Sequence, residues 1–147
     1  MTLDVPPELA SLAESLGASW PRTDEDMLYT AALRWTETAT DLRARRTALG
    51  DPAGAPHRPG IDLPRAAATA DVLAATLLAL AGVIAAYKHH ILRILADLAR
   101  FLTAGAGPHA DLQAATLART AVSRATRTAT SSIDGPLTTV LATIAAR

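Results

Sequence analysis

An all-α fold is what this sequence predicts: an elongated helical bundle built on a helical hairpin, with one very long central helix. Three observations predict it. About a quarter of the 147 residues are alanine, which loses no side-chain entropy in a helix. Apolar residues recur at steps of three and four over long stretches, the spacing of a helix face. No stretch alternates apolar with polar as a half-buried strand does. The length predicts a single domain over residues 1–147.

The first element is short. Pro6-Pro7 can open a helix, because the missing N–H falls where no intrahelical partner exists. Leu9, Leu12 and Leu16 mark one face, and Gly17 supplies a stop. A turn around Trp20-Pro21 leads to Thr23-Asp24-Glu25-Asp26, a hydroxyl cap followed by three acids that suit the positive end of a helix dipole. From Thr23 the positions Leu28, Ala31, Trp35, Ala39 and Leu42 step by three or four. Arg43, Arg45 and Arg46 suit the negative end, and Gly50 follows Leu49 as a stop, so a helix over 23–49 is predicted. Trp35 is read as its core anchor. Residues 50–64 hold four prolines and three glycines and are expected to form a loop.

The third helix is the most informative element. Leu73, Leu77, Leu80, Ile84, Tyr87, Ile91, Ile94, Leu98 and Phe101 follow strict 4-3-4-3 spacing, the period of a coiled-coil seam. Val83, Leu92, Leu95 and Leu102 widen it, which predicts contact with more than one partner helix. The helix should run from about Pro64 to Phe101 or Leu102, outreaching helix 23–49 and leaving apolar face for another helix or a second chain. A fourth helix, about Ala110 to Thr130, offers a small face: Ala114, Ala118, Ala121, Ala125 and Ala129. Its many Thr and Ser residues lower helix propensity. Asp134-Gly135-Pro136 reads as a break before a tail helix from Leu137 to Ala146, within a tail segment 131–147.

The chemistry is sparse. There are no cysteines, which excludes disulfides and thiolate sites, and the formal charge is zero from 14 basic and 14 acidic residues, which argues against a nucleic-acid binder. Residues 1–64 sum to about −4 and residues 65–147 to about +4, so opposite halves can attract within a chain or between chains. Adjacent helical residues point about 100° apart, so His89-His90 cannot chelate one ion; Lys88, His89 and His90 are read as edging the seam, facing acids on helix 23–49. Asp24, Glu25 and Asp26 are read as exposed capping acids. Arg119, Arg124 and Arg127 form a modest basic patch without aromatics for base stacking. No phosphate loop, nucleophile elbow or triad is present. Catalytic residues, cofactors and metals are therefore not expected.

Met1 to Leu16 has no basic start or apolar core and contains Asp4, Glu8 and Glu14, so no classical signal peptide is predicted and the chain is expected in the cytoplasm as synthesised. Val72 to Tyr87 is free of charge but only 16 residues long, short of the ~20 a span needs. A membrane-active protein inserting Val72–Tyr87 is the alternative to a buried bundle helix; a scaffold subunit is another.

The order of parts carries a resemblance. WPRTDEDMLYTAALRWTETATDLRAR, then a loop, then DVLAATLLALAGVIAAYKHHILRILADLARFL, resembles the N-terminal helical domain of actinobacterial type VII secretion substrates, in the Trp-x-Gly helical-hairpin superfamily and its polymorphic-toxin or outer-membrane-channel-like N-terminal subtype. It covers about residues 15–130, through Trp20, Trp35 and the Tyr87-to-Ile91 turn. The sequence departs from that family in having no Trp-x-Gly in the loop and no Tyr-x-x-x-Asp/Glu signal, since Leu33 follows Tyr29 and Ile91 follows Tyr87 at that spacing. The predominance of Arg, with Lys88 the sole lysine, fits a GC-rich genome. The resemblance implies a targeting or adaptor domain, exported by a type VII-like route, either standing alone, as a subunit or as part of a longer protein. With the seam, it implies a protein partner: a homo-oligomer or a heterodimer with another small helical protein.

Overall fold

The structure, a computed structural model, describes residues 3–50 and 62–146, and 84% of these described residues are helical. Four helices follow one another: α1 (Pro7–Ser15), α2 (Glu25–Ala48), α3 (Leu63–Thr103) and α4 (Pro108–Ala145). No strand occurs among the described residues. The all-α reading holds, with α3 as the long central helix packing against the others. Its 41 residues extend roughly 60 Å at the rise of an α-helix.

Local chemistry sets the helix ends. Pro7 occupies the first turn of α1. After Ser15 the chain closes through Gly17 N–H to the Glu14 carbonyl (3.0 Å) and Ala18 N–H to the Ala13 carbonyl (2.9 Å). That doubly bonded terminus needs a left-handed residue, which Gly17 supplies at φ 66°. Gly105, at φ 68°, does the same after α3. Arg119 donates to the Ser15 carbonyl at 3.4 Å, a cation at the negative end of α1.

Three boundaries differ from expectation. Helix α2 starts at Glu25, so Asp24 and not Thr23 precedes its first residue. Of the expected loop 50–64, residues 51–61 lie outside the described residues, and Leu63 and Pro64 already belong to α3. The largest difference is in α4, which runs unbroken through Asp134-Gly135-Pro136, with Pro136 inside the helix. Proline there removes one N–H, leaving the Ser132 carbonyl without its usual donor, but the helix continues for nine more residues. The threonines that lower propensity turn their hydroxyls back onto the helix: Thr116, Thr120, Thr126, Thr130, Thr139 and Thr143 each donate to the carbonyl four residues earlier. Bonded in this way, they do not compete for the backbone as they do in turns.

Contacts group the chain into two compact units. The first comprises the chain up to Glu25 together with Gly82–Asp134, and the second Asp26–Ala81 together with the residues from Gly135 on. In the first unit Ala13, Leu16, Tyr87, Ile91, Leu95, Leu98, Ala118 and Val122 form one buried cluster. In the second the buried apolar residues are alanines: Ala32 and Ala39 of α2, and Ala67, Ala70, Ala74 and Ala81 of α3. An ion pair from Arg43 to Asp71 ties α2 to α3 there, and Arg65 donates to the Ala146 carbonyl near the end of α4.

Candidate functional site

The seam expected along α3 is present, but displaced. Of its nine positions Ile84, Tyr87, Ile91 and Leu98 are buried. Leu73, Leu77, Leu80 and Ile94 are half-buried, and Phe101 is 40% exposed. The buried stripe instead passes through Ala67, Ala70, Ala74, Ala81, Ile84, Lys88, Ile91, Leu95 and Leu98. Its spacing is again three and four except for the seven residues from Ala74 to Ala81, where Leu77 is half-buried, so the heptad period stands. The two stripes share Ile84, Ile91 and Leu98 and differ by one residue at the alternate positions, a mean rotation of about 50° about the helix axis. The displacement has a physical reason. Hydrophobicity favours Leu73 and Leu80 for the interior over Ala74 and Ala81, and Tyr87 without Lys88 beside it, yet small side chains admit a closer helix and a cation can enter if it is paired.

Lys88 is that cation. Only 1% exposed, it is among the most buried large side chains of the protein, not a residue at the edge of the seam. Its Nζ donates to Glu25 Oε2 at 2.6 Å and to the Thr23 carbonyl at 3.2 Å. It also lies 5.7 Å from the centroid of the Trp20 ring, within the reach of a cation–π contact. Leu3 N–H donates to Glu25 Oε1 at 2.9 Å. Glu25 is therefore a buried acceptor, not the exposed cap expected of it. Burial alone would raise its pKa from the ordinary 4.5. The Lys88 hydrogen bond, the backbone N–H groups of Leu3 and Glu25 and the Lys88 charge overcome this and hold it at about 2. One signal in the sequence pointed here: the sole lysine lies four residues after Ile84 and three before Ile91, a core register that demands a carboxylate.

Trp35 is not a core anchor. It is 39% exposed, and Ala32 and Ala39 are the buried residues of α2. The tryptophan that packs against a core is Trp20, half-buried beside the cluster of the first unit. Its Nε1 is buried without a hydrogen-bond partner among the described residues.

A groove of about 530 Å³ opens in the first unit between the end of α3 and the start of α4. Ile94, Leu98 and Phe101 line one wall, and Ala114, Leu117 and Ala121 the other. Leu117 is 72% exposed. Both walls present apolar residues at helical spacing, and the half-used positions of the expected seam, Ile94 and Phe101, face this groove. His89 and His90 are exposed, and no group of three potential metal ligands comes together among the described residues.

No family model, curated protein or solved structure matches this chain.

Proposed function

We propose that the chain is a non-enzymatic helical interaction module, a targeting or adaptor domain of the type VII secretion-like kind that it resembles. Its mechanism is a third helix laid into the groove between α3 and α4. The carrying observation is that groove, whose two antiparallel walls, Ile94-Leu98-Phe101 and Ala114-Leu117-Ala121, leave an apolar trough open to solvent. Paired helices with such a trough accept an amphipathic helix through residues at i, i+4 and i+7. The chain carries a strip of that design: Leu137, Leu141 and Ile144 are exposed on α4 at this spacing. The occupant is therefore a second copy of this chain, presenting the end of its α4. Light scattering on a concentration series tests it. Masses above 15.3 kDa that rise with concentration are expected, and Leu117→Arg should return the protein to monomer with its helicity intact. A monomer at every concentration overturns self-association, and a stable complex with a small helical partner would then take its place.

A membrane-active reading has its own support. Helix α3 is long and apolar enough to cross a membrane, and only a third of its most apolar window is buried. Flotation with liposomes tests this reading: protein that stays at the bottom of the gradient removes it.

A further inference from the structure

A second cavity, about 420 Å³, lies in the first unit between α3 and α4, about one helical turn along from the groove and sharing no lining residue with it. At this size it falls at the low end of small-molecule sites, roughly 300–1,000 Å³. Its two ends differ in chemistry. Tyr87 Oη lies 3.2 Å from Thr126 Oγ1, which fixes the antiparallel register of the two helices. His90, one turn beyond Tyr87, and Arg124, just before Thr126, therefore share one end. Val83 and Ala129 share the other with Ser132, whose hydroxyl is turned back onto the Thr128 carbonyl, and Ala86 and Ala125 lie along the walls. No carboxylate lines the cavity, and Arg124 has no ion-pair or hydrogen-bond partner among the described residues. Thr128, unlike Thr126 and Thr130 on either side, makes no bond back to its own helix and lines the same cavity. An unpaired guanidinium at one end of an apolar slot is complementary to an anion with an apolar tail, and its planar fork matches a carboxylate.

We infer that this cavity binds a free medium-chain fatty carboxylate, its head on Arg124 and its chain against Val83, Ala86 and Ala129. The site is independent of the groove that carries the proposed association. Isothermal titration of the full chain with decanoate, below its micelle concentration, tests it. Saturable one-site binding is expected, with decanol at least tenfold weaker because it cannot use the guanidinium charge. Arg124→Ala, an exposed position that leaves the core untouched, should weaken decanoate roughly tenfold, the scale of one hydrogen bond to a charged group. Ala129→Leu, which fills the apolar end, should abolish binding with helicity retained. Three results overturn the inference: no saturable binding of decanoate, decanol bound as tightly as decanoate, or Arg124→Ala binding undiminished. Binding to phosphatidylglycerol vesicles without binding to free decanoate also overturns it, since the surface would then read a membrane rather than a single chain.

Discussion

The two units bury different kinds of surface. The first fills its interior with Leu16, Tyr87, Ile91, Leu95, Leu98 and Val122 and closes it with a buried ion pair. The second buries six alanines and Thr76. Hydrophobic stabilisation scales with apolar area, at about 25 cal/mol per Å². A leucine-sized side chain therefore contributes several times what an alanine does. Alanine stripes let helices approach closely, and the second unit exploits that, but each turn adds little. Stability should be concentrated in the first unit. The second should open at lower free energy, as the least densely stabilised part of a protein does.

The largest test of this contrast is at Lys88. Lys88→Met leaves Glu25 buried and uncompensated and should cost about 3–5 kcal/mol in urea unfolding. The double variant Lys88→Met, Glu25→Leu should recover most of that loss, because two apolar groups of similar volume replace a desolvated pair at little net cost. If the double variant is as unstable as the single one, the pair does more than neutralise itself and the first unit depends on it for packing.

Next in size is a matched pair of core truncations. Leu95→Ala in the first unit should cost about 2–5 kcal/mol. Ala74→Gly in the second should cost only about 1 kcal/mol, mostly from helix propensity. Equal costs would mean that the alanine stripe is held together by something other than buried area.

The acid limb separates the units by charge. Glu25 belongs to the first unit, and its folded pKa of about 2 lies below the ordinary 4.5. Protonation is therefore favoured by unfolding. Its stabilising contribution is present in full above pH 4.5 and is lost as pH falls toward 2. Glu25→Gln should be less stable than the parent at neutral pH, and the difference should shrink through that window. A pH-independent gap between the two would detach Glu25 from the acid response.

Much of the fold was legible in the sequence, and the errors have a common cause. Gly17, Gly50 and Gly105 mark the ends of α1, α2 and α3, and the heptad period of α3 survives intact. These are local signals, carried by φ preference and by periodicity. What failed depended on neighbours distant in sequence. Apolar character points the stripe on α3 at Leu73 and Leu80, whereas its orientation is set by how closely α3 can be approached and by a carboxylate 63 residues away at Glu25, which brings Lys88 inside beside Tyr87. Asp134-Gly135-Pro136 carries the chemistry of a turn, yet the helix runs through it; the cost of one missing N–H is smaller than that of abandoning the helix on both sides. Of the candidate site, Ile94, Leu98 and Phe101 were named from spacing alone. On the opposite wall, Ala114 and Ala121 follow from the small face of the fourth helix, but the spacing does not show that the exposed Leu117 completes a groove with α3.

The smallest substitution gives the sharpest view of the comparison. Trp20 lies in the first unit and Trp35 in the second, and the chain has no other tryptophan. Trp35 is exposed enough that Trp35→Phe should change stability by less than about 0.5 kcal/mol. That variant leaves Trp20 as the sole indole and its fluorescence as a report on the first unit. Trp20→Phe leaves Trp35 to report on the second; it costs more, since Trp20 faces Lys88, but it preserves an aromatic ring there. If alanine burial is the weaker kind, the Trp35 signal should change at lower urea than helix content does, and the Trp20 signal should follow the last of the helicity. Because α3 and α4 each run through both units, the opposite outcome is equally informative. Coincident transitions would mean that the continuous helices transmit unfolding from one interior to the other, so that the leucine-rich core stabilises the alanine-rich one through the backbone they share.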